Sequence, residues 1–305
     1  MKHPAQITTP PSLKPGNKIG LVCTARKIAA EELDFAITTL KAWGLEPVLG
    51  ATVGQALHQF AGDDWERAKD FQRMMDDDSI SAILCARGGY GSVRIIDKLE
   101  FIRFKKNPKW IIGYSDITVF HAHVHTMYNI ETIHSTMPLN FMTNTAAALE
   151  TLRDALFGKK LKYELTPHVF NIYGEGTGQL VGGNLSVLYS ICGSRSDIDT
   201  RGKILFLEDL DEYLYHIDRM MMQLKRSGKF RYLAGMIMGG FTKMKDNEIP
   251  YGQNALEIIA SHVKDYNFPV AFDFPAGHID DNRALLMGRQ VELDVHAKGG
   301  RLKFL

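Results

Sequence analysis

Between Lys18 and Ser135 the chain alternates short apolar runs with segments of helical periodicity, and this alternation limits the possible fold more than any other feature. KIGLVCTA reads as a strand buried on both faces. Leu33, Ile37 and Leu40 then recur at helical spacing until Gly44, which the pattern makes a C-cap. LEPVLG is a second short strand. Trp65, Ala68, Phe71 and Met75 mark the next helix, Ile80 to Ala86 a third strand, and Val93 to Leu99 a third helix. Trp110 to Ile112, a helical run carrying Val119, Phe120 and Val124, and the strand IETIHS complete the series. Apolar strands separated by helices fit a parallel sheet covered on both faces.

The expectation is therefore an α/β protein whose N-terminal domain, residues 1–157, is a doubly wound parallel sheet of flavodoxin-like type closed by the helix TAAALETLRDALFG. Residues 158–176 are polar and turn-rich and read as a linker. Residues 177–305 read as a smaller, mixed α+β domain rich in strands. It would hold GNLSVLYSICGS, HIDRMMMQLKRSG and QNALEIIASHV as helices, and KILFLEDL and LAGMIMGGF as strands. The tail, PVAFDFPAG, RALLMG and QVELDVHAKGGRLKFL, is strand-rich and reads as ending in a hairpin turned at Gly299 and Gly300.

At 305 residues such a chain can bury a sizeable core. Its 36 basic and 35 acidic side chains leave a net charge of +1, and no basic stripe points to a nucleic-acid partner. Cys23, Cys85 and Cys192 are scattered and odd in number, which fits a reducing compartment better than a disulfide framework. The start, MKHPAQITTPPSLKPGNK, lacks an apolar core of signal-peptide length. No run approaches the roughly 18 to 20 apolar residues that span a bilayer. The reading is a soluble, cytoplasmic protein with no membrane partner.

In KWIIGYSDITVFHAHVH, Ser115 stands where a strand pattern gives way to a helix pattern. A hydroxyl at such a turn can be a nucleophile, exposed at the carboxyl end of a sheet. It can equally be a helix N-cap. A nucleophilic serine needs a base and an orienting acid. Glu208 follows an apolar run in KILFLEDLDEYLYHID, and His278 follows a Pro-Ala-Gly turn in PVAFDFPAGHIDDN. The order Ser115, Glu208, His278 is that of α/β-hydrolases, with Asp209, Asp211 and Glu212 as local competitors for the acid. In AILCARGGYGSVRIIDKL, glycines after a buried strand let backbone approach a ligand. The stretch lacks the P-loop lysine and a full G-x-G-x-x-G. Gly88 and Gly89 could instead lend an amide to an oxyanion hole beside Ser115, together with the amide of Asp116.

Taken together, ARGGYG (86–91), GYSDIT (113–118), GGNLS (182–186), LEDLDE (207–212) and AGHIDDN (276–282) resemble the LD-carboxypeptidases of murein recycling, a family that also includes the microcin C-resistance peptidases. The resemblance runs from about Pro15 to the C-terminus. It implies a cytoplasmic serine peptidase and homodimer, needing no metal or other cofactor, with Ser115 as nucleophile, Glu208 as acid and His278 as base. The implied substrate is a murein tetrapeptide with a terminal D-alanine. Ile117 stands where the general elbow pattern G-x-S-x-G has its second glycine. Arg87 is a candidate clamp for the terminal carboxylate. Asn184 either contacts substrate or caps the following helix.

Competing readings are hydrolysis of a microcin-like aminoacyl nucleotide, for which Tyr173 could stack, and a non-catalytic α/β small-molecule binding protein. His121, His123 and His125 lack the glutamate of an HExxH site, so no metal is expected. Met220, Met221 and Met222 read as core filling.

Overall fold

A computed structural model describes residues 7–305; the first six residues of the polar N-terminal stretch lie outside the described residues. The alternating apolar runs become β1 (Lys18–Val22), β2 (Glu46–Leu49), β3 (Ile80–Cys85), β4 (Trp110–Gly113) and β5 (Thr132–His134), all parallel. Between and after them lie α1 (Asp34–Ala42), α2 (Asp64–Asp76), α3 (Ser92–Ile95), α4 (Ile102–Lys106), α5 (Thr118–Tyr128) and α6 (Ala146–Leu156). The second half supplies β6 (Lys162–Leu165), β7 (Gly174–Asn184), α7 (Leu185–Ile191), β8 (Ile204–Leu210), α8 (Leu214–Arg226), β9 (Gly235–Thr242), α9 (Ala255–Val263), β10 (Val270–Ala271), β11 (Leu285–Met287), β12 (Gln290–His296) and β13 (Gly299–Phe304).

Two sheets result. The first runs β11-β5-β4-β3-β1-β2, the second β10-β9-β8-β7-β12-β13-β6. Within the second, β7 to β10 are parallel and β12, β13 and β6 antiparallel. The α/β class with a strand-rich second half stands.

Local signals explain most elements. Asp63 and Glu66 exchange backbone bonds in a capping box that starts α2, a motif whose cap is worth about 1 kcal/mol. Phe71, on the buried face of α2, stacks on Phe120 of α5 with ring centroids 4.4 Å apart. That cluster continues into Leu185, Leu205 and Met220, so one core bridges the two sheets. Trp65, expected in the buried stripe of α2, instead faces outward beneath the Lys98 ammonium. Of the three consecutive methionines, Met220 and Met221 are buried and Met222 is exposed.

Four segments depart from the sequence reading. Lys162–Leu165, inside the expected linker stretch, is the edge strand β6 paired with β13. Gly174–Asn184 is an 11-residue strand, unread because five of its residues are glycine. Those glycines answer to close packing: a Cβ on Gly178 would stand 2.5 Å from the Gly202 carbonyl, and one on Gly183 2.5 Å from Thr118 Oγ1 of α5. RALLMG, expected in the second unit, crosses over as β11 and pairs antiparallel with β5 of the first sheet. The final hairpin turns at Ala297 and Lys298, since His296 pairs with Gly299.

The carboxyl ends of both parallel sets meet. Loops after β1, β3 and β4 and the ends of β7 and β8 surround one cavity, as expected where ligands bind to open α/β sheets. No helix among the described residues is long and apolar enough to cross a membrane.

Candidate active site

Ser115 begins a single 3-10 turn, Ser115–Ile117, between β4 and α5. Its φ of +63° lies in the left-handed region, which costs a residue with a side chain about 1–3 kcal/mol. It does not act as the N-cap, which is Tyr114, and no side-chain capping bond forms there. The helix-cap reading of Ser115 is thereby set aside. A sharp turn of this kind is accommodated at Gly113 (φ +151°), where a Cβ would stand 2.8 Å from Ile117 Cγ1. Ile117 therefore occupies the place of the second elbow glycine by packing over the first.

The Gly-rich loop lies directly against the serine. A Cβ on Gly88 would stand 3.1 Å from Ser115 Oγ, and one on Gly89 (φ +119°) would meet the Arg26 side chain at 2.6 Å. The Asp116 carboxylate accepts the Ser92 amide at 2.7 Å and so ties the start of α3 to the serine turn. Burial raises the Asp116 pKa, opposed by the bonds from Ser92 and Gly91. As the second residue of its turn, Asp116 carries a backbone amide that the turn itself does not satisfy.

Glu208, near the end of β8, is fully buried. Its Oε2 accepts the His278 ring Nδ1 at 2.6 Å and the His278 backbone amide at 3.1 Å. Gly277, at φ +103°, permits this approach, because a Cβ there would stand 2.7 Å from Glu208 Oε2. Burial disfavours the charged His278 ring, but the charge and hydrogen bond of Glu208, with the charge of Asp209, raise its pKa overall. With Nδ1 committed to Glu208, Nε2 is the nitrogen left for other chemistry. Tyr114 packs against the His278 ring at 4.7 Å between centroids.

Asp209 points elsewhere. Its carboxylate accepts from Asn184 Nδ2 (2.8 Å) and the Ser186 amide (2.9 Å), and burial lifts its pKa to about 7. Asp211 pairs with Lys245 and Glu212 with His216, so none of the three competitors holds His278. Asn184 is the N-cap of α7: its Oδ1 accepts the Val187 amide and the Ser186 hydroxyl. Of its two readings, capping is the one whose bonds are present.

Ser115, His278, Gly88, Gly89, Arg87 and Asn184 all line one cavity of about 510 Å³. Ser115 Oγ and the His278 ring share that wall without a direct hydrogen bond between them. Arg87 donates to the Lys27 carbonyl at 3.0 Å, and its buried Nε has no hydrogen-bond partner among the described residues. Arg26, Tyr90 and Tyr114 also line the cavity and were missed in the sequence. Arg26 follows β1 much as Arg87 follows β3, and that shared place at a strand's carboxyl end was the available signal. Tyr173 and the three tryptophans do not line it.

The histidines of α5 are engaged separately. His121 Nε2 donates to the Gly113 carbonyl (2.9 Å), His123 meets Ser196 and His125 meets Lys203. Burial lowers the His121 pKa to about 4. Among the described residues no group of three or more His, Cys, Asp or Glu side chains is arranged to hold a metal ion.

Known proteins share this arrangement of the chain. Residues 19–135 match the LD-carboxypeptidase N-terminal domain and residues 177–293 the LD-carboxypeptidase C-terminal domain. The chain is 33% identical over 299 residues to a probable murein peptide carboxypeptidase of Bacillus subtilis, covering 95% of this chain and 92% of that one. It is 28% identical over 300 residues to a murein tetrapeptide carboxypeptidase of Pseudomonas aeruginosa, covering 94% and 95%. The fold superposes on the microcin C7 self immunity protein MccF, solved with aspartyl sulfamoyl adenosine, with a TM-score of 0.86 at 21% identity and 98% coverage of each chain.

Proposed function

The chain belongs to the LD-carboxypeptidase family, and from that premise we propose that it is a serine carboxypeptidase removing the terminal D-alanine from murein tetrapeptides. One observation carries the reading: a serine in left-handed conformation shares a cavity wall with a histidine whose far nitrogen is tied to a fully buried carboxylate.

His278 Nε2 takes the Ser115 proton as Oγ attacks the carbonyl carbon before D-alanine, then gives that proton to the leaving amine. The acyl-serine is hydrolysed by a water that His278 deprotonates. Glu208 holds the ring in the tautomer with its proton on Nδ1 and stabilises the imidazolium. The amides of Asp116 and of the Gly88–Gly89 turn receive the oxyanion, each such donor being worth about 3 to 4 kcal/mol in the transition state. An exopeptidase must also recognise a free carboxylate. Arg87 and Arg26, both on the cavity, are the side chains we assign to that role. The same reading includes a homodimer working in the cytoplasm.

An aminoacyl nucleotide is the competing substrate, because Tyr90 puts a half-exposed aromatic ring on the cavity. Mass spectrometry after incubation with murein tri-, tetra- and pentapeptides and with an aminoacyl nucleotide separates the two. Release of D-alanine from the tetrapeptide supports the carboxypeptidase. Cleavage of the nucleotide conjugate alone overturns it.

A further inference from the structure

Behind His278 lies a set of buried polar atoms that the serine chemistry leaves unused. Glu208 Oε1, Asn282 Nδ2 and both ring nitrogens of His134 are buried without a hydrogen-bond partner among the described residues. Asn282 Oδ1 accepts the Gly277 amide at 2.8 Å, and Gly277 lies against the Glu208 side chain. The His134 ring packs on Phe206 at 5.0 Å and on Tyr114 at 5.9 Å. Phe206 lies by the same turn as Glu208, since a Cβ on Gly239 would meet both the Ala276 carbonyl and the Phe206 ring while one on Gly277 would meet Glu208, and Tyr114 packs against His278.

Buried polar atoms in native proteins are paired with protein or ordered water, and a carboxylate oxygen at full burial most of all needs donors. The available donors are the Asn282 amide and one ring N–H. His134 is held neutral by burial and by the neighbouring His121 and His278, opposed by the Asn282 side chain, which lies against the ring. A neutral imidazole offers one donor and one acceptor.

We propose that Asn282 and His134 are positioning residues that hold Glu208 through its second oxygen, Oε1, with Asn282 Nδ2 and the His134 N–H as its donors. The proposal rests on the assignment of Glu208 and His278 made above. With Oε1 fixed, the carboxylate cannot rotate, and Oε2 stays on His278. Without that hold both bonds to His278 loosen and the imidazolium is supported less. Apart from Glu208, the groups facing His278 are Asp209, Lys243, Tyr114 and His134, and a change at Asn282 alters none of these charges.

The test is Asn282→Leu, with His134→Phe as a second variant that keeps the Asn282 bond to Gly277. For each, kcat, KM, the pH profile, thermal stability and the downfield proton NMR resonance of the His278 Nδ1–H are measured. Expected is a fall in kcat of about 10- to 100-fold with KM nearly unchanged. In Asn282→Leu the acid limb moves to lower pH, and in both variants the resonance shifts or disappears. Folded variants with wild-type resonance and pH profile overturn the proposal, and so does a loss confined to KM. The resonance is read without turnover, so this proposal can fail alone, whereas an active Ser115→Ala enzyme fails the underlying reading instead.

Discussion

His278 is held by Glu208 twice, since the ring Nδ1 and the backbone amide both reach Oε2, at 2.6 and 3.1 Å. A carboxylate so placed sets both the tautomer of the ring and its position. Glu208→Gln keeps the shape but can donate where it must accept. Turnover is expected to drop on the order of ten-thousand-fold, as for the acid of other serine triads. Asp209→Asn, Asp211→Asn and Glu212→Gln are expected to cost far less, because their partners are Asn184, Lys245 and His216. Steady-state kinetics on the four variants decide the assignment; a mild Glu208→Gln beside a crippled neighbour moves the acid to that neighbour.

The pH profile follows from the same pair. Burial works against a charged His278, but Glu208 and Asp209 outweigh it and raise the pKa above the ordinary imidazole value of about 6.5. The protonated ring cannot accept the Ser115 proton, so activity falls as pH drops through that raised value. The acid limb of kcat/KM is expected above about 6.5 in the wild type and lower in Glu208→Gln. An acid limb that Glu208→Gln leaves in place contradicts the coupling.

Gly277 is a point where backbone and catalysis meet. Gly277→Ala puts a Cβ 2.7 Å from Glu208 at a φ of +103°, a conformation that costs roughly 1 to 3 kcal/mol for a residue with a side chain. Displacing the carboxylate is expected to lower turnover about 100-fold, together with a lower melting temperature. Wild-type kinetics in this variant would show that the acid's position is not critical.

The parts legible in the sequence were those with a short-range signature. Apolar runs ending in turn residues marked the parallel strands and set Ser115 and Glu208 at or near strand ends, whereas the strand expected over PVAFDFPAG is only Val270–Ala271 and leaves His278 in the loop beyond it. The second-half departures have a different origin. In β7 the glycines that hide the strand are there for contacts with Gly202 and Thr118, far away in the chain. β11 joins the first sheet along the free side of β5, a pairing between segments about 150 residues apart that no local pattern announces. Asn282 and His134 look like ordinary turn and strand residues, and their full burial is visible only once both sheets are assembled. Choosing Glu208 over Asp209 likewise depends on strand direction at a register shift between Leu207 and Asp209, which spacing does not encode.

The serine mechanism is tested most directly by Ser115→Ala, assayed for D-alanine release from a murein tetrapeptide, with circular dichroism and a fluorophosphonate label as controls. That mechanism requires an intact fold, no labelling, and a rate at least about ten-thousand-fold below wild type. A folded Ser115→Ala protein that still releases D-alanine near the wild-type rate would contradict it.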